Sequence, residues 1–262
     1  MNNTIMNQNE SNELSTEAES TMKLTFYDED VWHHFVAPDE VVEMRILKAT
    51  GRFPSGEYFR RQTISGYFDD YTSFRKALAM IENFEYSGAY FTLHMIDPRL
   101  IGRAFNRLKI SDLTTNDSNI LYYNWLPLDF DPVRPAGISS SDSELKEALA
   151  LRDHVVPVIM ERYGFDPPIL AMSGNGCHAL FRLNDWPAVE EYRNYVKGTI
   201  GAISDEFSTD RVNIDKSVWN PARIWKLYGT QSRKGDPVPA GKFREARPHR
   251  ESYIESLGYT FD

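Results

Sequence analysis

Apolar positions recur along this chain at two spacings, and each spacing predicts a different element. In YTSFRKALAMIENF, residues 71–84, they return every three or four positions, which is the stripe of a helix packed on one side. AYFTLHMI (89–96) and WLPLDFD (125–131) are instead short apolar runs of strand length. VWHHFVAPDEVVEMRIL mixes both patterns, and PRLIGRAFNRL opens with a proline that a helix tolerates in its first turn. Residues 23–120 therefore read as an α/β module.

From residue 121 the order sharpens. After the WLPLDFD strand, Ser141 and Glu144 form a capping-box pattern ahead of the long helical stretch ELKEALALRDHVVPVIMERYG, with Pro157 as a kink point and Gly164 near its end. PPILAMS and CHALFRL are two strands joined by Gly174-Asn175-Gly176, a hairpin signal. PAVEEYRNYVKGTIGAISDEF reads as a second helix, weakened by Gly198 and Gly201, and VNID and ARIWKLYG are extended. The sum for 121–262 is β-α-β-β-α-β, the ferredoxin/RRM-like split βαβ unit, and the whole is of the α+β class. Its usual strand order, 4-1-3-2, places the first strand between the third and the fourth.

Composition adds limits. Residues 1–22 hold almost nothing to bury and are expected to be a disordered tail. The 262 residues carry a single cysteine, Cys177, so neither an internal disulfide nor a multi-cysteine zinc site is expected. With no long apolar run and no secretory leader pattern, the chain reads as cytoplasmic, with no membrane partner. A net charge of −9 argues against a nucleic-acid partner at first sight. Yet residues 211–250 hold ten Lys/Arg against three acids, so the stretch reads either as a solvated charged tail or as a local anion site.

Candidate chemistry begins with LPLDFDPVRP, residues 126–135. On a strand, Asp129 and Asp131 point to one side about 6.7 Å apart, and Phe130 points to the other. Two bare carboxylates at that spacing repel by on the order of 2 kcal/mol at an effective dielectric of about 20, and a divalent cation reverses the sign. Mg²⁺ or Mn²⁺ suits such hard oxygen ligands, and Asp215 on the neighbouring strand would supply a third ligand to a site for two ions. The alternative is an aspartate pair serving a turn or a cap. SGNGCH (173–178) is either a plain hairpin turn or a loop offering backbone N–H groups to an anion, with His178 able to donate to a phosphate oxygen. In NPARIWKLYGTQSRKG, Arg223 and Lys226 fall on opposite faces of a regular strand, so only one of them should reach the metals. Arg233 and Lys234 follow in a turn suited to phosphate or to solvent.

In this order and on this topology the motifs resemble those of the archaeo-eukaryotic primase superfamily. Its DxD corresponds to Asp129 and Asp131, its Ser/Gly-x-His to Gly176 and His178 with Ser173 just upstream, and its hydrophobe-Asp to Ile214 and Asp215. The wider strings look like primase-polymerase domains of phages, plasmids and mobile elements, with GYFDD and YFTLHMIDPRLIGRAFNRL similar to the same group's N-terminal module. The resemblance implies a DNA primase-polymerase that makes or extends primers by two-metal nucleotidyl transfer on single-stranded DNA, with NTPs or dNTPs as substrates. It implies catalysis by Asp129, Asp131, Asp215 and His178. Nucleotide contacts would come from Ser173, Asn175, Gly176, His178, Arg223, Lys226 and Lys234, and template contacts from Asn106, Arg107 and Arg233. The family's zinc element has no counterpart here, and no P-loop helicase motif appears, so any helicase would be a separate chain or lie in a part not included. A catalytically silent single-stranded DNA-binding module and a DxD glycosyltransferase are the alternatives.

Overall fold

Among the described residues two large antiparallel sheets, each completed by strands from both halves of the sequence, organise the chain, and a two-stranded sheet stands beside them. A computed structural model describes residues 23–242 and 244–258; the stretch 1–22, expected to be a tail, lies outside the described residues. The first half supplies α1 (Glu29–Phe35), β1 (Val42–Arg52), β2 (Tyr58–Phe68), α2 (Tyr71–Ile81), β3 (Gly88–Thr92), β4 (Met95–Ile96) and β5 (Lys109–Ile110). The second supplies β6 (Ile120–Pro132), α3 (Asp142–Tyr163), β7 (Ile169–Met172), β8 (Cys177–Pro187), α4 (Glu190–Phe207), β9 (Val212–Ile214), β10 (Ile224–Lys226), β11 (Gln231–Ser232), β12 (Arg250–Glu251) and β13 (Tyr253–Ser256).

The second sheet runs β13-β7-β8-β6, with β4 on the N-terminal half of β6 and β9 on its C-terminal half. Within it, β9-β6-β8-β7 is the 4-1-3-2 order expected from the sequence. The predicted capping box forms: the Ser141 hydroxyl accepts from the Glu144 N–H, and the Glu144 carboxylate accepts from the Ser141 N–H. Gly164, at φ 68°, ends α3 in the left-handed conformation that a residue without Cβ adopts most easily.

α3 and α4 cover one face of this sheet. Phe130, Cys177 and Ile214 are register neighbours on that covered face, and each is 0% exposed. Burial of a Phe or Ile there contributes on the order of 1.5–3 kcal/mol. Alternation then forces Asp129 and His178 onto the opposite face, which turns toward the first sheet.

That first sheet runs β10-β3-β1-β2-β5. Its edge strand β10 comes from residues 224–226, which the sequence places with the C-terminal module. In return β4, from the first half, extends the second sheet, and Leu24 bridges Ile254 of β13. The 23–120 and 121–262 segments are thus interlocked by strand exchange. PRLIGRAFNRL, expected to continue as a helix, makes only a 3₁₀ turn over Pro98–Arg103. Tyr67 of β2 captures the residues beyond that turn, its N–H donating to Ala104 O at 3.1 Å and its carbonyl accepting from Asn106 N at 2.9 Å.

Candidate active site between the two sheets

Three strands place three polar residues in one row. Asp129 pairs with His178 across β6 and β8, and the Asp215 N–H donates to the Asp129 carbonyl at 2.9 Å just past β9. Directly opposed residues share a face, so Asp215, Asp129 and His178 point together, and Asp131 joins them two positions along β6. The pocket over Asp129, Asp131 and His178 has a volume of about 270 Å³, and Asp215 is not among its lining residues. Asp129, Asp131 and His178 form its floor, and Tyr90, Arg223, Lys226 and Lys234 belong to the facing wall.

Each carboxylate has a cationic neighbour. Arg134 and Lys234 stand 3.6 and 3.7 Å from the oxygens of Asp131, and Arg223 lies 3.3 Å from Asp215 Oδ2. The imidazole Nε2 of His178 is 3.5 Å from Asp129 Oδ1. Burial raises the Asp129 pKa, but the hydrogen bond from His178, with the charges of Lys234 and Arg223 behind it, outweighs burial and leaves the group below its ordinary value. Asp131 moves the other way: the charge on Asp129, then burial, raise it against the pull of Lys234 and Arg134. Two carboxylates whose affinities are driven apart by mutual repulsion form a site that gains from a further positive charge.

The donor set fits a hard divalent cation at Asp129 and Asp131. The expected third ligand is less free. Asp215 accepts from the Ser217 N–H at 2.7 Å, from the Ser217 hydroxyl at 3.0 Å and from Arg223, so both of its oxygens are engaged. Among the described residues no three His, Cys, Asp or Glu side chains gather into a metal-holding group.

His178 is oriented by two residues of NPARIWKLYGTQSRKG that the sequence did not single out, Trp225 and Tyr228. The Trp225 indole N–H donates to the Tyr228 hydroxyl at 3.0 Å, and that hydroxyl lies 2.8 Å from His178 Nδ1. Burial holds the Tyr228 phenol far above its ordinary pKa, so it keeps its proton. An indole nitrogen only donates, so the Tyr228 oxygen accepts from it and directs its own hydrogen to Nδ1. Nε2 then carries the imidazole proton, on the side of Asp129 and the pocket. The His178 ring also lies 4.3 Å from the Trp225 ring.

The remaining sequence candidates divide. Lys234 and Arg223 reach the acids. Lys226 lines the pocket, yet it is only 7% exposed, and its ammonium donates to Thr230 Oγ1 and Gln231 O. Asn175 acts as a clamp, accepting from the Ser140 N–H at 2.9 Å and donating to the Lys234 carbonyl at 2.9 Å. The hairpin N–H groups expected to face an anion are used within the loop, Gly174 N on Met172 Sδ and Gly176 N on the Ser173 hydroxyl. The glycines have a packing reason instead: a Cβ on Gly176 would come within 2.2 Å of Phe130 O. Arg233 turns away to stack 4.6 Å from the Tyr86 ring centre. Asn106 bonds Asp69, and with Arg107 it lines a separate cleft beside α2. Arg134 was missed although it sits three residues after Asp131, the one local signal that would have found it.

No protein-family profile and no curated protein sequence matches the chain. Among solved structures it is similar to the primase-polymerase (PrimPol) of cyanophage S-2L, AEP domain (PP-N190), with a TM-score of 0.46 and 12% identity over 90% of this chain and 94% of that one. At that level of likeness, function has to be read from the side chains.

Proposed function

We propose that the chain is a nucleotidyl transferase of the primase-polymerase kind, joining nucleotides on a single-stranded DNA template. The observation that carries this reading is the row Asp215–Asp129–His178, with Asp131 beside it, set in register across three strands and faced by Arg223 and Lys234. Paired carboxylates opposite cations are what a metal-bound triphosphate requires, and along the chain the two acids, the histidine and the last acid follow the order of the primase motifs.

Asp129 and Asp131 would hold Mg²⁺ or Mn²⁺, which when bound supplies Lewis-acid stabilisation of the triphosphate and a lowered pKa for the attacking hydroxyl. His178 donates from Nε2 to a phosphate oxygen, its ring fixed by Tyr228 and Trp225. Lys234 and Arg223 neutralise the remaining phosphate charge, and Lys234 is held in place through Asn175 on its carbonyl. Tyr90 and Trp225 wall the pocket and limit water at the reacting atoms. Asp215, now held by Ser217 and Arg223, would be the third residue able to hold the ion, and Arg223 would then be free for the triphosphate.

Asp129→Asn and Asp131→Asn should each remove primer extension on a single-stranded template with Mn²⁺ and labelled nucleotides, while far-UV circular dichroism stays unchanged. Extension by either variant defeats the assignment. A second reading, a binding module without catalysis, is favoured by the engagement of Asp215 with Arg223. Tight DNA binding by the unaltered chain with no incorporation under any metal would select it.

A further inference from the structure

The pocket opens past Leu47 and Gly88, register partners that both line it. From there β1 and β2 continue as a two-stranded ribbon to the turn at 53–57, and from Gly51 onward β1 pairs only with β2. Alternation assigns the ribbon's faces. Phe59 points into the core at 2% exposure, so Tyr58 and Arg60 point outward on either side of it. Arg52 is the register partner of Tyr58, its guanidinium 5.7 Å from the ring centre, so it shares that outer face. Lys48 and Arg61 sit at irregularities of the two strands with φ of 52° each, a conformation that non-glycine residues seldom adopt, and both are exposed. Bulges of this kind increase twist and re-aim side chains.

Four cations therefore stand on the segment leading away from the pocket, and Glu57 is the only acid between residues 47 and 63. Among the described residues none of Lys48, Arg52, Arg60 or Arg61 is in an ion pair, whereas Arg134, Arg211, Arg223, Arg247 and Arg250 all are. Self-repulsion among unpaired cations is relieved by a polyanion. Tyr58, 55% exposed in their midst, offers a face on which a base can stack.

We propose that the outer face of the β1–β2 ribbon is a rail for single-stranded DNA that continues the path of the template out of the pocket, with Lys48, Arg52, Arg60 and Arg61 on phosphates and Tyr58 on a base. This rests on the nucleotidyl-transfer reading for the direction of the strand, but its binding test is separate. Anisotropy of a labelled oligothymidylate is measured over a salt series. Arg60→Ala with Arg61→Ala should weaken binding and reduce the slope of log K against log salt by about 1.4, at about 0.7 per lost phosphate contact. Arg60→Lys with Arg61→Lys should restore the slope. Tyr58→Ala should weaken binding about tenfold with the slope unchanged. An unchanged slope in the double alanine variant, or no binding by the unaltered chain, overturns the rail. Ribbon-dependent binding without incorporation leaves the rail standing and removes the transfer reaction; incorporation with a slope indifferent to the ribbon does the reverse.

Discussion

Lys226 carries an amine into the pocket wall where its two hydrogen-bond partners, Thr230 and Gln231, are neutral. Burial, and then the charge of Arg233, lower its pKa to about 7. The folded value lies below that of the unfolded chain, so between roughly pH 7 and 10.5 the unfolded chain binds more protons and stability rises with pH. Lys226→Met removes this contribution. Urea midpoints at pH 6.5 and 9.5 should rise with pH more steeply for the unaltered chain than for the variant, and equal pH dependence would refute the assignment. At this scale Asp129, Asp131 and His178 were legible because alternation and strand order suffice to aim them. Asp215 was legible only in its backbone position. Its side chain is taken by Ser217, two residues on, the local bonding to which short acidic side chains are prone, and by Arg223, whose reach depends on a loop that no periodicity encodes.

Among elements, the β7–β8 hairpin shows how a turn signal carries more than a turn. Gly174, at φ 108°, bends the loop, and Gly176 lets it lie against β6 with no Cβ between them. Gly176→Ala places a methyl against backbone that cannot yield as a flexible side chain can, and should cost on the order of 1–3 kcal/mol, read as a lower urea midpoint with an unchanged m-value. A midpoint equal to that of the unaltered chain would show that β6 and the hairpin are not in close contact. α3 was legible from its capping box and α4 from its helical pattern. The helix expected across PRLIGRAFNRL was not realised, because the edge of β2 offered Ala104 and Asn106 better-placed partners than another helical turn would. β10 was read as extended, but three residues, IWK, hold no information about which sheet they join.

At the scale of the whole molecule, six cations of the basic stretch 211–250 fall into two uses. Arg211, Arg247 and Arg250 tie this region to Glu147, Glu144 and Asp142, while Arg223, Lys226 and Lys234 reach the pocket. Charge counting detected the excess and had no means of dividing it. Among the described residues no helix is long and apolar enough to cross a membrane. Because β10 and β4 cross between the sheets, neither sheet is complete on its own, and the chain should unfold as one unit. Tryptophan fluorescence and far-UV circular dichroism should give coincident urea transitions, and two separated transitions would contradict the interlock. The same crossing makes residues 216–223 a spacer of fixed length: one end is anchored beside Asp129, and the other delivers β10 to the opposite wall. Loop length elsewhere is open to drift, but here a single added or deleted residue would change the gauge of the cleft itself.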